Sequence, residues 1–260
     1  METIEGDIYD YPGYYDLVFG SDWKAEYDFL CGVFDRHVTG KAAKRIFEPA
    51  CGTGRLLYRF ADAGYEASGL DLNEKSVAFC NERLARRGHP ESVFVGDMTD
   101  FQLRRKADGS FNMINSFRHL PTEKLAAAHL RCMAGALRKG GVYVLGLHLT
   151  PTAVEPSDEE SWTARRGHLC VNTHMYTTHR DLKNRVERFS MSYYVHTPKR
   201  SFRLADEIEF RTYTTAQFRS LLKKVPELEI CEIYDFSYDL DEPIELYPET
   251  EDAVFVLRKR

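Results

Sequence analysis

The stretch Ile46-Phe47-Glu48-Pro49-Ala50-Cys51-Gly52-Thr53-Gly54-Arg55 limits what this chain can fold into more than any other. It reads as a strand from Lys44 to Glu48 that runs into a glycine turn. A helix follows, starting near Arg55, with Leu56, Leu57 and Phe60 on one face. Glycines at such a turn let the backbone approach a ligand closely, because no Cβ stands in the way. The next apolar strand, Glu66 to Leu70, ends in Asp71. A carboxylate at that strand tip accepts both hydroxyls of a ribose.

A dinucleotide fold wants G-x-G-x-x-G, since its third glycine packs the helix on the strand and its helix start faces a pyrophosphate. Here the third position is Leu57, and an acid, Glu48, closes the first strand. That acid repels a pyrophosphate and suits an ammonium group. A ligand with a ribose at one end and an amino acid at the other fits both carboxylates: S-adenosylmethionine. The string Glu48-x-x-Cys51-Gly52-Thr53-Gly54-Arg55, followed by Gly69-Leu70-Asp71-Leu72, resembles motif I and the ribose strand of class I S-adenosylmethionine-dependent methyltransferases. The likeness is to the small-molecule subfamily called methyltransferase domain 25.

At 260 residues the chain is one large domain or a domain with an insertion, and 43% apolar content is ample for a core. A net charge of −5 points to no nucleic-acid or anionic-membrane partner. No apolar run approaches the roughly 20 residues of a membrane span, and the acidic start lacks a signal peptide's pattern. Six scattered cysteines with no C-x-x-C pair suit free thiols in a reducing cytoplasm. No carboxylate or histidine pair has ligand spacing, so no metal is expected.

Residues 1–40 form an N-terminal cap segment, with a helix expected from Lys24 to His37. Tyr11-Pro-Gly-Tyr14-Tyr15-Asp16 resembles the Y-x-x-x-Y-D opening of small-molecule methyltransferases, sugar N,N-dimethyltransferases among them. The resemblance places Tyr11 and Tyr15 at the methionine end of the cofactor and Tyr14 at the acceptor. The alternative is that these tyrosines simply pack a capping helix. Residues 41–150 alternate strand and helix, which calls for a parallel sheet with helices on both faces. Asn73 reads as an N-cap for a helix with Val77, Cys80 and Leu84 inward. Gly96-Asp97-Met98 follows the third strand and resembles the family's adenine contact, though Asp97 also suits a turn cap. A short fourth strand, Phe111 to Asn115, leads into Ser116-Phe-Arg-His119-Leu, which resembles a motif passing beneath the cofactor toward the acceptor. His119 there is a candidate proton acceptor, with a structural histidine as the alternative. The next helix should end at Lys139-Gly140-Gly141. Val142 to Leu149 reads as a central strand whose end places His148 at the carboxyl edge of the sheet, where open α/β sheets bind ligands.

Residues 151–168 read as a polar, acidic, mobile loop. Leu169 to Thr177 and the alternating stretches around Phe189–Val195 and Phe202–Phe210 suggest a three-stranded antiparallel insert, so that 151–213 acts as an acceptor lid or a dimer contact. Thr214 or Thr215 caps the last helix, and Glu229–Phe236 with Ala253–Arg258 form the final strands.

The resemblance therefore implies an α/β, Rossmann-like, seven-stranded methyltransferase sheet in one domain, 1–260, with an antiparallel β insert before the last helix. It implies a cytoplasmic S-adenosylmethionine-dependent methyltransferase that methylates N or O of a small-molecule acceptor and is open to homodimer formation. The expected cofactor residues are Tyr11, Tyr15, Glu48, Ala50, Gly52, Gly54, Arg55, Asp71, Leu72, Asp97, Met98 and Asn115. His119 and Tyr15 are the candidate catalytic groups, and Tyr14, His119 and His148 the candidate acceptor contacts. Three rivals differ. A nucleotide-cofactor oxidoreductase is opposed by the missing glycine. A non-catalytic methyltransferase-like scaffold is opposed by the intact Glu48, Asp71 and Asp97. A protein-substrate methyltransferase needs an insert surface open to a polypeptide.

Overall fold

A computed structural model of the chain describes residues 1–21 and 23–260. In chain order the elements begin with β1 (Glu2–Glu5), α1 (Pro12–Phe19), α2 (Trp23–His37), β2 (Arg45–Pro49) and α3 (Leu57–Asp62). Next come β3 (Glu66–Asp71), α4 (Glu74–Arg86), β4 (Val93–Val95), β5 (Ala107–Asn112) and α5 (Glu123–Ala136). Then follow β6 (Leu137–His148), β7 (Glu159–Arg166), β8 (Leu169–Asp181), β9 (Val186–His196) and β10 (Ser201–Arg211). The chain closes with α6 (Thr215–Leu222), β11 (Leu228–Tyr234) and β12 (Asp252–Lys259).

Seven strands lie in the order β11-β12-β6-β5-β2-β3-β4. β12 runs antiparallel to both its neighbours, and the pairs from β6 to β4 are parallel. Strand alternation decides which helices cover which face. Tyr143, Leu145 and Leu147 of β6 join Phe255 and Leu257 of β12 against α5 and α6. Val142 and Val144 join Val254 and Val256 on the other face, against Phe29, Leu30 and Phe34 of α2 and Phe60 of α3. Helix starts follow the sequence: Asn73 accepts from Ser76 N–H, and Thr214 with Gln217 forms a capping box.

Three boundaries differ from those read in the sequence. β5 starts at Ala107, four residues before Phe111, and every residue of it is buried. Ala-Asp-Gly-Ser reads as a turn, but each member has a partner inside the sheet. Asp108 accepts from the Lys44 and Arg45 N–H groups and from Arg138 Nε at 2.6 Å. A Cβ on Gly109 would fall within 2.8 Å of the Phe34 ring, and Ser110 donates to Phe47 O. The helix before β6 ends at Ala136, not at Lys139-Gly140-Gly141. Those glycines form a bulge instead, with Gly140 at φ +76° and Gly141 too close to Asp108 O for a side chain.

The third difference is the insert, which has four strands of its own. Part of the segment expected as a loop is β7, an edge strand whose mostly exposed side chains hide its period; only Trp162 and Ala164 turn inward. β1 adds in parallel to β10, giving a five-stranded sheet in the order β1-β10-β9-β8-β7. Its inner face packs Val171, Tyr193, Val195, Phe202 and Leu204 against Leu17 and Val18 of α1. The stretch before α2 is therefore a helix itself, started by Pro12 in its first turn. Asp16 joins this sheet to the other. Its buried carboxylate accepts from Thr53 Oγ1 at 3.1 Å, from Arg83 of α4 at 2.6 Å and from Arg166 of β7 at 3.0 Å. Burial works against that charge, and the two guanidinium groups more than offset it, so the Asp16 pKa is lowered.

Asp108 offers a stability test. It is fully buried. Burial opposes its charge, yet bonds from Arg45 N–H, Arg138, Lys44 N–H and Lys41 bring its pKa down to about 2. Asp108→Asn leaves those cations without their counter-charge, and chemical denaturation at pH 7 should show a loss of about 3 kcal/mol. A depressed carboxylate contributes fully above its unfolded pKa of about 3.9 and loses that contribution as pH falls through the folded value. The gap between wild type and variant should therefore close between about pH 4 and pH 2. A constant gap across that range would contradict the assignment.

Candidate active site

Two loops at the carboxyl ends of adjacent strands carry unusual backbone. After β2, Ala50, Gly52 and Gly54 all have positive φ, at +51°, +52° and +65°. After β5, Ile114 and Asn115 do so in succession, at +53° and +63°. A β-branched residue in this region is strained, and such strain persists where surrounding bonds over-determine it. Those bonds are present. Asp71 Oδ2 accepts from Gly52 N–H at 2.7 Å and Oδ1 from Asn73 N–H at 2.8 Å, so one carboxylate holds the glycine turn and the start of α4. Asn115 Oδ1 accepts from His148 N–H at 2.8 Å, and Asn112 donates to Pro49 O.

Two cavities open at this edge. The smaller, about 490 Å³, is lined by Ala50, Gly52, Asp71, Leu72, Met98 and His119, with Asp206 to Glu209 of β10 opposite. Leu72 stands 69% exposed there. The larger, about 540 Å³, lies between the end of β6, the insert sheet and the Phe236–Tyr238 turn, with Asn115 and His148 on its wall. Tyr9 and Tyr15 line both cavities and so stand at their junction. Their rings are 5.2 Å apart, and Tyr15 packs so closely on Gly52 that a Cβ there would be 3.2 Å from it.

Tyr9 Oη lies 3.0 Å from His119 Nε2, and the imidazole packs edge-on to Phe210 at 4.7 Å. His119 is open to the cavity yet deep in the molecule. Burial first, and the Arg118 charge second, bring its pKa down to about 4. The ring is therefore neutral at pH 7, and its tautomer decides whether Nε2 accepts from or donates to Tyr9. Burial raises both tyrosines well above the usual phenol range, so both keep their O–H protons. Beneath the glycine loop, Glu48 is buried, and one of its oxygens, Oε2, has no hydrogen-bond partner. Burial raises its pKa, opposed by the Arg55 charge nearby.

The structure brings together Tyr15, Ala50, Gly52, Asp71, Leu72, Met98 and His119 around the smaller cavity, and Asn115 and His148 in the larger one. Asn115, expected beneath the cofactor in a motif that runs toward the acceptor, thus lines the larger cavity and not the smaller. Six expectations lead elsewhere. Glu48, buried beneath the glycine loop, lines neither cavity. Arg55 lines neither cavity, because Glu26 of α2 holds its guanidinium bidentately at 2.5 and 2.6 Å. Tyr11 and Tyr14 stack on one another, 6.1 Å apart, and Tyr14 packs on Phe202 of the insert. Asp97 is exposed and accepts from Thr99 N–H at 2.7 Å, the turn cap. A Cβ on Gly54 would overlap Cys80 Sγ, so this glycine serves helix packing.

Sequence reasoning missed Tyr9, Trp162 and Glu187, all on the larger cavity, while Arg118 lies within the Asn115–His119 stretch read as facing the acceptor. Trp162 left a signal: one of only two tryptophans, it sits alone in a charged segment. Tyr9 left none beyond its place in the tyrosine-rich start.

Residues 46–141 match a family model described as a methyltransferase domain. A dTDP-3-amino-3,4,6-trideoxy-alpha-D-glucopyranose N,N-dimethyltransferase of Streptomyces venezuelae is 31% identical over 139 residues, which are 52% of this chain and 56% of that protein. The match thus spans little more than half the relative's length. A dTDP-4-amino-2,3,4,6-tetradeoxy-D-glucose N,N-dimethyltransferase of Saccharopolyspora spinosa is 25% identical over 73% of this chain and 74% of that protein. Among solved structures, a S-adenosylmethionine-dependent methyltransferase from Clostridium acetobutylicum superposes with a TM-score of 0.77 at 16% identity, covering 96% of this chain and 98% of that one. At such identity the likeness shows the fold.

The His119 environment can be checked by NMR. Its imidazole signals should stay in the neutral range from pH 8 to about 5.5 and move only toward pH 4, where a solvated histidine titrates near 6.5. The sign for stability follows: below about pH 6.5 the unfolded chain binds this proton first, so folding stability falls with falling pH. A His119 midpoint near 6.5 would refute the burial account.

Proposed function

We propose that this chain, a member of the class I S-adenosylmethionine-dependent methyltransferases, transfers a methyl group to a nitrogen of a small-molecule acceptor, with an oxygen as the alternative nucleophile. The observation that carries the reading is the pair of cavities meeting at Tyr9 and Tyr15. The smaller one fits the cofactor. Asp71 offers carboxylate oxygens at its wall, Leu72 and Met98 offer apolar surface to a purine, and Glu48, beneath the glycine loop, keeps Oε2 without a hydrogen-bond partner and so able to accept from an ammonium group. The bound cofactor supplies a methyl carbon on a sulfonium: the acceptor's lone pair forms the new bond while the C–S pair returns to sulfur.

The chain's own residues need only hold and dry the reactants. Positioning of this kind is worth several kcal/mol. The faces of Tyr9 and Tyr15 stabilise positive charge at the junction. His119 fixes the Tyr9 hydroxyl, and Tyr15 is held against Gly52. In this reading the insert is a lid, since Trp162, Met175, Phe189, Met191 and Ile208 close the larger cavity. A reducing cytoplasm suits six free cysteines. None of the helices described is long and apolar enough to cross a membrane. The sugar N,N-dimethyltransferases among the relatives favour nitrogen.

Calorimetric titration with S-adenosylmethionine, S-adenosylhomocysteine and NAD tests the assignment. The first two should bind and the third should not. Asp71→Ala and Glu48→Gln should each weaken S-adenosylmethionine binding about tenfold or more, roughly 1.4 kcal/mol. Binding of NAD alone, or full affinity in both variants, would overturn the reading.

A further inference from the structure

The walls of the larger cavity carry six carboxylates, from Asp158, Glu159, Glu160, Glu187, Glu251 and Asp252, against two guanidinium groups, Arg118 and Arg180. Both arginines are already matched. Arg118 is buried, bonded to Glu187 at 2.5 Å and set over the Phe210 ring at 4.9 Å. Arg180 bonds Glu187 at 2.6 Å and Asp158 at 2.9 Å. Neither presents an uncommitted charge to a phosphate.

Glu251 is the reverse case. Among the described residues its carboxylate has neither a hydrogen bond nor an ion pair, although its backbone is fixed by Leu149 N–H on its carbonyl. Burial, and then the charge of Asp252 beside it, raise its pKa. Asp252 itself meets His148 Nδ1 at 2.6 Å, and that imidazole stands edge-on to Phe236 at 5.0 Å, with Tyr238 next in line. An unmatched carboxylate on a cavity wall that also carries the Phe236 and Tyr238 rings is the chemistry of a cation site.

We propose, resting on the reading of this cavity as the acceptor site, that the acceptor is a small amine with at least two nitrogen centres and no nucleoside diphosphate. One nitrogen stays protonated, held by Glu251 and Asp252 against the Phe236 wall. The other, a neutral amine, faces the Tyr9–Tyr15 junction, and its lone pair takes the methyl carbon as the C–S pair returns to sulfur. The product leaves as an ammonium ion that releases its proton to water. A diphosphate would face carboxylates with no free guanidinium to balance it, a like-charge juxtaposition that opposes binding. The two dTDP-sugar dimethyltransferases similar to this chain bear names that imply such diphosphates, so the inference separates this chain from them in substrate class.

The experiment is calorimetry on the full chain, first with S-adenosylhomocysteine and then, at saturation, with spermidine, 2-deoxystreptamine or thymidine 5′-diphosphate. At least one of the two polyamines should bind, more weakly as salt is raised, and the nucleotide should give no heat. Glu251→Gln should weaken the polyamine about tenfold while S-adenosylhomocysteine binds unchanged, which also shows that the variant is folded. Asp252→Asn repeats the test from the other carboxylate. Failure of both polyamines, tighter binding of the nucleotide, or wild-type polyamine affinity in both variants overturns the inference alone. Failure of S-adenosylhomocysteine with the wild-type chain overturns the methyltransferase reading and the inference with it.

Discussion

The Asp16 carboxylate meets three groups that belong to different parts of the molecule: a hydroxyl from the glycine loop, a guanidinium from α4 and a guanidinium from β7. An acid this buried would be costly alone, and the two guanidinium groups offset that cost. The arrangement ties the N-terminal helix, the loop after β2 and the insert sheet to one point. Since Tyr15 is the neighbouring residue, the same point sets where the junction ring lies against Gly52. Both cavities depend on that placement.

The site is held by short polar bonds to backbone and not by the cavity walls themselves. Asp71 fixes the glycine turn and the next helix start with its two oxygens, and Asn115 clamps the end of β5 to the end of β6. Left-handed backbone at Ala50, Ile114 and Asn115 is tolerated because these bonds leave it no alternative. A rigid rim suits a reaction whose main demand is alignment.

Elements with a strong apolar period were legible in the sequence. α2, α4 and the inner part of β6 lie within a few residues of their expected bounds, and Asn73 and Thr214 cap as read. What failed was decided by partners far along the chain. Ala107-Asp-Gly-Ser110 looks like a turn until Lys44, Arg45 and Arg138 stand around Asp108. β7 is an edge strand, so charge on it carries no period. The glycine loop, Asp71 and Met98 were readable because local spacing alone sets them beside the cavity. The choice among tyrosines was not: Tyr11, Tyr14 and Arg55 turned to protein partners that no local pattern announces, and Tyr9 took the place at the junction.

β1 pairs Glu2 with Phe202 and Glu5 with Ala205, joining residues two hundred positions apart in one parallel ladder. Closing so long a loop loses much chain entropy before any contact repays it, so such pairings form slowly. During synthesis the first strand must wait for some two hundred further residues before its partner exists. The Rossmann-like half meanwhile has local βαβ contacts to build on. The insert sheet, with one edge held by a four-residue strand, is thus where native-state opening should begin.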